Sequence, residues 1–144
     1  MIPVRRNGIF QYTEKLEPND ILIPHKPHPC AELDEFDQWR IDIEKVRQIK
    51  IAKFKNDIAP KLVYEKAPEY KQVNSALGIY PEEKRTEIIN WIQAVRKLTD
   101  EIEAEINAAE DVQQIDDYNL DFELLKSKTE EIENGGNKDD TSNN

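Results

Sequence analysis

Ile88, Trp91, Ile92, Val95, Leu98, Ile102, Ile106 and Ala109 recur at spacings of three and four. Only an α-helix brings such positions onto one side, so this stripe constrains the fold more than any other feature of the chain. Pro81 stands where a helix opens, and Glu82 and Glu83 behind it suit the positive end of the helix dipole. The pattern predicts a helix of about thirty residues, near the upper end for a globular protein, and so a helical hairpin or short coiled coil. A covering stripe is available earlier. Leu33, Phe36, Trp39, Ile43 and Val46 share the spacing, and Ile49, Phe54 and Ile58 continue it loosely. They predict a first long helix from about Ala31 to Ile58, with Ile41 and Ile51 off the stripe and Pro60 as its stop.

Between the two, residues 61–80 read as a connector with one short helix, opened by Pro68 and closed by Gly78. Its Tyr64, Tyr70, Val73, Leu77, Ile79 and Tyr80 are placed to plug the space between the long helices. Past the second helix, Asp111 is an N-cap for a short turn containing Val112 and Ile115. Tyr118, Leu120, Phe122, Leu124 and Leu125 make a last apolar cluster, either a docking strap or a final helix. From Asn134 onward no apolar residue remains, and the ordering entropy of such a segment is not offset.

Residues 1–30 are different. Asn7-Gly8 lies between Ile2-Pro3-Val4 and Ile9-Phe10-Gln11-Tyr12, a hairpin signal because both turn residues tolerate positive φ. Pro18-Asn19-Asp20 is a turn, and Ile21-Leu22-Ile23 a short strand. Three prolines in Pro24-His25-Lys26-Pro27-His28-Pro29 exclude helix and central strand. The expected organisation is mainly α: an extended N-terminal arm over 1–30, a helical domain over 31–125 with its hairpin and connector helix, and an acidic, polar tail over 126–144, disordered from about 134.

Net charge is −10, and residues 111–144 hold ten acids against three lysines, a net −7. That sign is wrong for binding phosphates, so nucleic acid is not expected as a partner. No apolar run approaches the ~20 residues that cross a bilayer, and the first residues lack the apolar run of a signal peptide. No membrane partner is expected, and the chain is expected to stay soluble in a cytosol. Cys30 is the single cysteine, which leaves no internal disulfide. His25-x-x-His28-x-Cys30 clusters three soft ligands where zinc takes four. It reads as polar side chains in a proline-rich loop. Asp117-x-Asn119-x-Asp121 begins like a calcium loop, but Phe122 stands where that loop has glycine and Lys128 where it has glutamate. With no phosphate-cradling glycine loop either, no catalytic residue, cofactor or metal is assigned, and the chain is expected not to be an enzyme.

Glu69-Tyr70-Lys71-Gln72-Val73-Asn74-Ser75-Ala76-Leu77, then Trp91-Ile92-Gln93-Ala94-Val95-Arg96 and Asp100 to Ala109, resemble a helical segment of small tailed-bacteriophage proteins. The proline-rich arm followed by an aspartate- and tryptophan-containing helix also looks like tail-fibre assembly proteins. The resemblance covers residues 65–122, and Val73 stands where an arginine is more usual. It implies work through protein contacts in tail or tail-fibre assembly, as a chaperone or fibre-associated protein, or else a minor virion component of tail, collar or fibre attachment. The implied partners are phage tail or fibre proteins, with homo-oligomerisation also open, in the host cytoplasm or the virion. The residues expected to make the contacts are Ile9, Phe10, Tyr12, Ile21, Leu22 and Ile23 of the arm, with Trp39 and Trp91 weighed between core and anchor.

Overall fold

The computed structural model describes residues 1–142, with side chains through residue 135. The chain is mainly α with a small N-terminal sheet. It divides into two compact units, Met1–Val46 and Arg47–Asn144.

In the first unit, β1 (Ile2–Arg6) pairs antiparallel with β2 (Ile9–Thr13) and with β3 (Ile21–Leu22), in the order β2-β1-β3. Asn7 at φ 52° and Gly8 at φ 78° make the tight turn, as the Asn-Gly pair predicts. Val4 opposes both Gln11 and Leu22. Val4, Ile23 and Ala31 are buried, and the Ile23 N–H donates to Pro3 O at 3.1 Å. The N-terminal segment is therefore a folded three-stranded sheet, built on the hairpin and the short strand that its sequence signals.

The helix expected from Ala31 is not formed at its start. Residues there make a second hairpin, β4 (Glu32–Leu33) against β5 (Trp39–Arg40). Asp34 supplies the reason. Its Oδ1 accepts from the N–H groups of Phe36 at 2.8 Å and Gln38 at 2.9 Å, which offers the backbone an alternative to helical bonds. Asp37 turns the chain at φ 61°. Trp39 thus belongs to a strand, and the expected pairing of a Trp39 helical stripe with that of Trp91 does not exist.

Helix begins at α1 (Ile43–Lys53), and the boundary between the units falls within it. A π-helical turn (Phe54–Ile58) and α2 (Ala59–Lys66) continue it without a break. Pro60 does not stop the helix, contrary to expectation. It sits in the first turn of α2, where a missing N–H costs nothing, and the wide turn before it closes on an Ala59 N–H to Phe54 O bond. Within the rod Ile51 and Phe54 are buried and Ile49 is half exposed, the reverse of the sequence reading for Ile49 and Ile51.

The rod, α3 (Glu69–Ala76) and α4 (Glu82–Ala108) build the expected hairpin with its connector helix. Contacts of the rod with the far end of α4 come early and those with its near end late, so the two run antiparallel. Arg47 donates to Ala109 O at 2.6 Å, Lys55 meets Glu103 at 3.2 Å, and the Trp91 indole donates to Leu62 O at 2.8 Å. Ile88, Trp91, Ala94, Val95, Leu98, Ile102 and Ile106 of α4 are buried together with Phe54 and Leu62. Asp111 caps α5 (Val112–Asp117) by accepting from the Gln114 N–H at 2.8 Å. The last apolar cluster resolves into a helix, α6 (Phe122–Ser142), which packs on α4 through buried Leu125. The expected disorder from about residue 134 falls largely outside the described side chains.

Candidate partner-binding surfaces

The residues expected to bind partners through the N-terminal sheet do not share one face. Cross-strand neighbours lie on the same side of a sheet, and Arg5 opposes Phe10 and Ile21 while Pro3 opposes Tyr12. Phe10, Tyr12, Ile21 and Ile23 therefore lie on one face. Ile9 and Leu22 lie on the other, with Val4. The first face is partly covered by the second hairpin. The Phe10 ring meets Trp39 edge-on at 5.8 Å and Tyr12 at 5.3 Å, and Arg5 pairs with Asp37. The Trp39 indole N–H donates to Pro24 O at 2.6 Å, which fastens β5 to the proline segment. Ile23 is buried and Trp39 half-buried, whereas Ile9 is 65% and Leu22 63% exposed, with Ile21 and Tyr12 also open. Of the arm residues, Ile9, Tyr12, Ile21 and Leu22 remain available, and Ile23 does not.

The shifted carboxylates of this unit are structural. Arg6 grips Asp20 with two parallel bonds, Nε to Oδ1 at 2.8 Å and NH2 to Oδ2 at 2.7 Å. The Glu17 N–H adds a third at 2.8 Å. The Arg6 bond first, and the backbone N–H second, hold the Asp20 carboxyl down to about 2 from 3.8. Asp34 is lowered too, chiefly by the Gln38 N–H and further by Arg40 and Phe36. Each fixes a turn.

In the second unit α3 is amphipathic in an inverted sense. Its apolar stripe, Tyr70, Val73 and, just past its end, Leu77, lies at spacings of three and four and is exposed, Leu77 by 69%. The better covered positions are polar. Gln72 donates to Ala67 O at 2.7 Å and Asn74 to the Tyr80 hydroxyl at 3.2 Å. These apolar residues do not plug the hairpin, as the sequence suggests, but face out. Between α3 and α4 runs an open groove of about 500 Å³, lined by Ser75, Ala76, Ile88, Ile89 and Ile92, with Glu82 and Arg85 on it as well. Arg85 Nε is buried there, and among the described residues it has no hydrogen-bond partner. Ile89 is half exposed. A second groove of about 430 Å³ holds Lys66, Lys71 and Lys84 against Glu65, Glu87 and Glu133, with no excess of either sign.

Trp91 is fully buried, its indole bonded to Leu62 O and its ring under the Lys66 ammonium at 4.4 Å. It is a core residue and offers nothing to a partner. In the proline loop the Cys30 N–H donates to His28 Nδ1 at 3.0 Å, which engages one ring nitrogen locally. Among the described residues no group of three or more His, Cys, Asp or Glu is placed to hold a metal ion, and no helix is long and apolar enough to cross a membrane. Tyr118 is pushed up, first by burial and then by its hydrogen bond to Glu105.

The fold and its surfaces define a mainly α chain with a clasped N-terminal sheet and two exposed apolar surfaces. Comparisons with models of protein families, with curated proteins and with solved structures found no match.

Proposed function

We propose that this chain is a non-enzymatic bacteriophage protein that works through protein contacts in tail or tail-fibre assembly, as a chaperone or fibre-associated protein. The phage assignment rests on the resemblance of residues 65–122. The mode of action rests on one observation, the outward apolar stripe Tyr70-Val73-Leu77 of α3. Large apolar side chains turned out from a helix whose covered side is polar are suited to a second protein. A non-catalytic reading is supported by the shifted Asp20 and Asp34, which are engaged in turns rather than set in a cavity.

Quantitative mass spectrometry of purified particles and of infected-cell lysate tests this. Association with fibre chains in the lysate and near absence from particles is the expected result. A fixed copy number in particles moves the reading to a minor structural component of the tail, collar or fibre attachment. Failure to co-purify with any tail or fibre protein from either source overturns it.

A further inference from the structure

We propose that the free edge of β2 is a self-association site, where β2 of a second copy adds antiparallel about a two-fold axis at Gln11. The first ground is the state of the edge. β2 borders its sheet, and among the described residues no strand pairs with its outer side. The Asn7-Gly8 turn makes Arg6 and Ile9 a hydrogen-bonded pair, and the ladder alternates from there. Pro3, opposite Tyr12, has no N–H to give to β2, and its carbonyl is turned the other way, accepting from Ile23 at 3.1 Å. The N–H and C=O groups of Phe10 and Tyr12 therefore point away from β1, along the open edge. None of the five β2 residues is buried. The opposite edge is blunted, since β3 is two residues long and Pro24 follows it closely. β2 has no such protection: it holds no proline and no charge, and its register is unbroken.

The sequence of β2 selects the occupant. Ile9-Phe10-Gln11-Tyr12-Thr13 is a palindrome of chemical types: β-branched, aromatic, amide, aromatic, β-branched. In a two-fold interface residue i of one copy meets j of the other and j meets i. Antiparallel pairing about Gln11 therefore sets Phe10 opposite the second copy's Tyr12, and Tyr12 opposite its Phe10. These are the residues whose backbone groups are free, so the two pairs close four hydrogen bonds. Ile9 then faces Thr13, and Gln11 faces Gln11. Aromatic pairs opposite one another are among those that stabilise a sheet. Charge agrees with this choice. Two copies with a net charge of −10 each repel one another and can meet closely only where the acid excess is absent. Residues 1–30 hold Arg5, Arg6, Lys15 and Lys26 against Glu14, Glu17 and Asp20, four cations and three acids, a net +1. In the proposed register Glu14 falls opposite Gly8 and Lys15 opposite Asn7, so no like charges confront each other. The inference stands apart from the phage assignment, since it needs no other protein.

Sedimentation analysis of the full chain across the micromolar range tests it, with circular dichroism of each variant as the check on folding. The wild type is expected to pass from monomer to dimer as concentration rises. Hydrogen exchange at the Phe10 and Tyr12 amides should slow as the dimer forms, while the Gln11 amide, already bonded to β1, should change least. Gln11→Glu and Gln11→Lys each set like charges opposite one another across the axis and raise the dimer dissociation constant by about fivefold or more. An equimolar mixture of the two variants recovers association, because each carboxylate then faces an ammonium. Should a charge variant unfold the sheet, Tyr12→Pro gives a second test. It removes an outward N–H, leaves the bonds to β1 in place and weakens the dimer. A wild type that stays monomeric overturns the proposal. So does a dimer indifferent to these substitutions, a mixture that does not recover, or a dimer whose Phe10 and Tyr12 amides exchange as fast as in the monomer.

Discussion

The two units hold themselves together in opposite ways. The first is small and is fastened by its two better covered ion pairs, Arg6 on Asp20 and Arg5 on Asp37. Its buried apolar residues are few, among them Val4 on one face of the sheet and Ile23 on the other. The second is centred on one apolar stripe on α4, covered by α2 and α6. A short sheet cannot bury enough to stabilise itself by area alone, so geometry set by paired charges takes a larger share. An apolar stripe of eight positions along a 27-residue helix has no such need. The two units should therefore respond to different perturbations.

The largest effect is expected from Trp91→Ala. It removes the biggest buried side chain of the helical unit and leaves Leu62 O without its indole donor. A loss of about 3–5 kcal/mol is expected in denaturant melts followed at 222 nm. The aromatic near-ultraviolet signal of Trp39 should be retained at denaturant levels that already melt the variant's helices. If both units melt together, they are not held together independently.

Acid should act the other way. The folded Asp20 carboxyl lies at about 2 against 3.8 when free, so its contribution is complete above about pH 4. It is lost as pH falls toward 2, when the carboxylate is protonated and Arg6 releases it. Hydrogen exchange should show β1 and β3 amides losing protection in that window before those of α4. Asp20→Asn should lose the same protection at neutral pH. An unchanged exchange pattern in Asp20→Asn would show that the clasp is not what fastens the sheet.

A smaller change sharpens the comparison within the helical unit. Asp111→Ala deprives the Gln114 N–H of its acceptor and should cost about 1 kcal/mol. The smallest is Leu77→Glu. Because Leu77 is 69% exposed, stability should move by less than about 0.5 kcal/mol in denaturant melts. A larger loss would place Leu77 in the core rather than on a contact face.

How much of this was legible depended on the length of each pattern. The α4 stripe spans eight positions, and its period admits one structure. The Asp111 cap and the Asn7-Gly8 turn carry their mechanism in their own side chains, and both form as expected. Leu33, Phe36 and Trp39 misled because three apolar residues at spacing three also fit a helix. What decides there is the Asp34 side chain taking two backbone N–H groups, and Asp37 at positive φ, neither of which a spacing pattern reports. The candidate contact surface was half legible. The spacing of Tyr70, Val73 and Leu77 marks an apolar side on α3, but not whether that side turns toward α4 or away. The arm residues were readable as apolar, yet only the register shows that they divide between two faces and that Ile23 is covered.

The π-helical turn keeps two distant core residues in phase. At about 100° per residue, the eight steps from Phe54 to Leu62 would carry Leu62 about 80° around an unbroken α-helix. Absorbing one residue in the wide turn brings it back to within about 20°, and both side chains are buried. Lys55, Asn56 and Asp57, all exposed, thus contain a surplus residue that the helical phase does not require. Pro60 explains its persistence, since in an uninterrupted α-helix that ring would cost about 3 kcal/mol or more. The turn acts as a spacer that reconciles a proline with a continuous core.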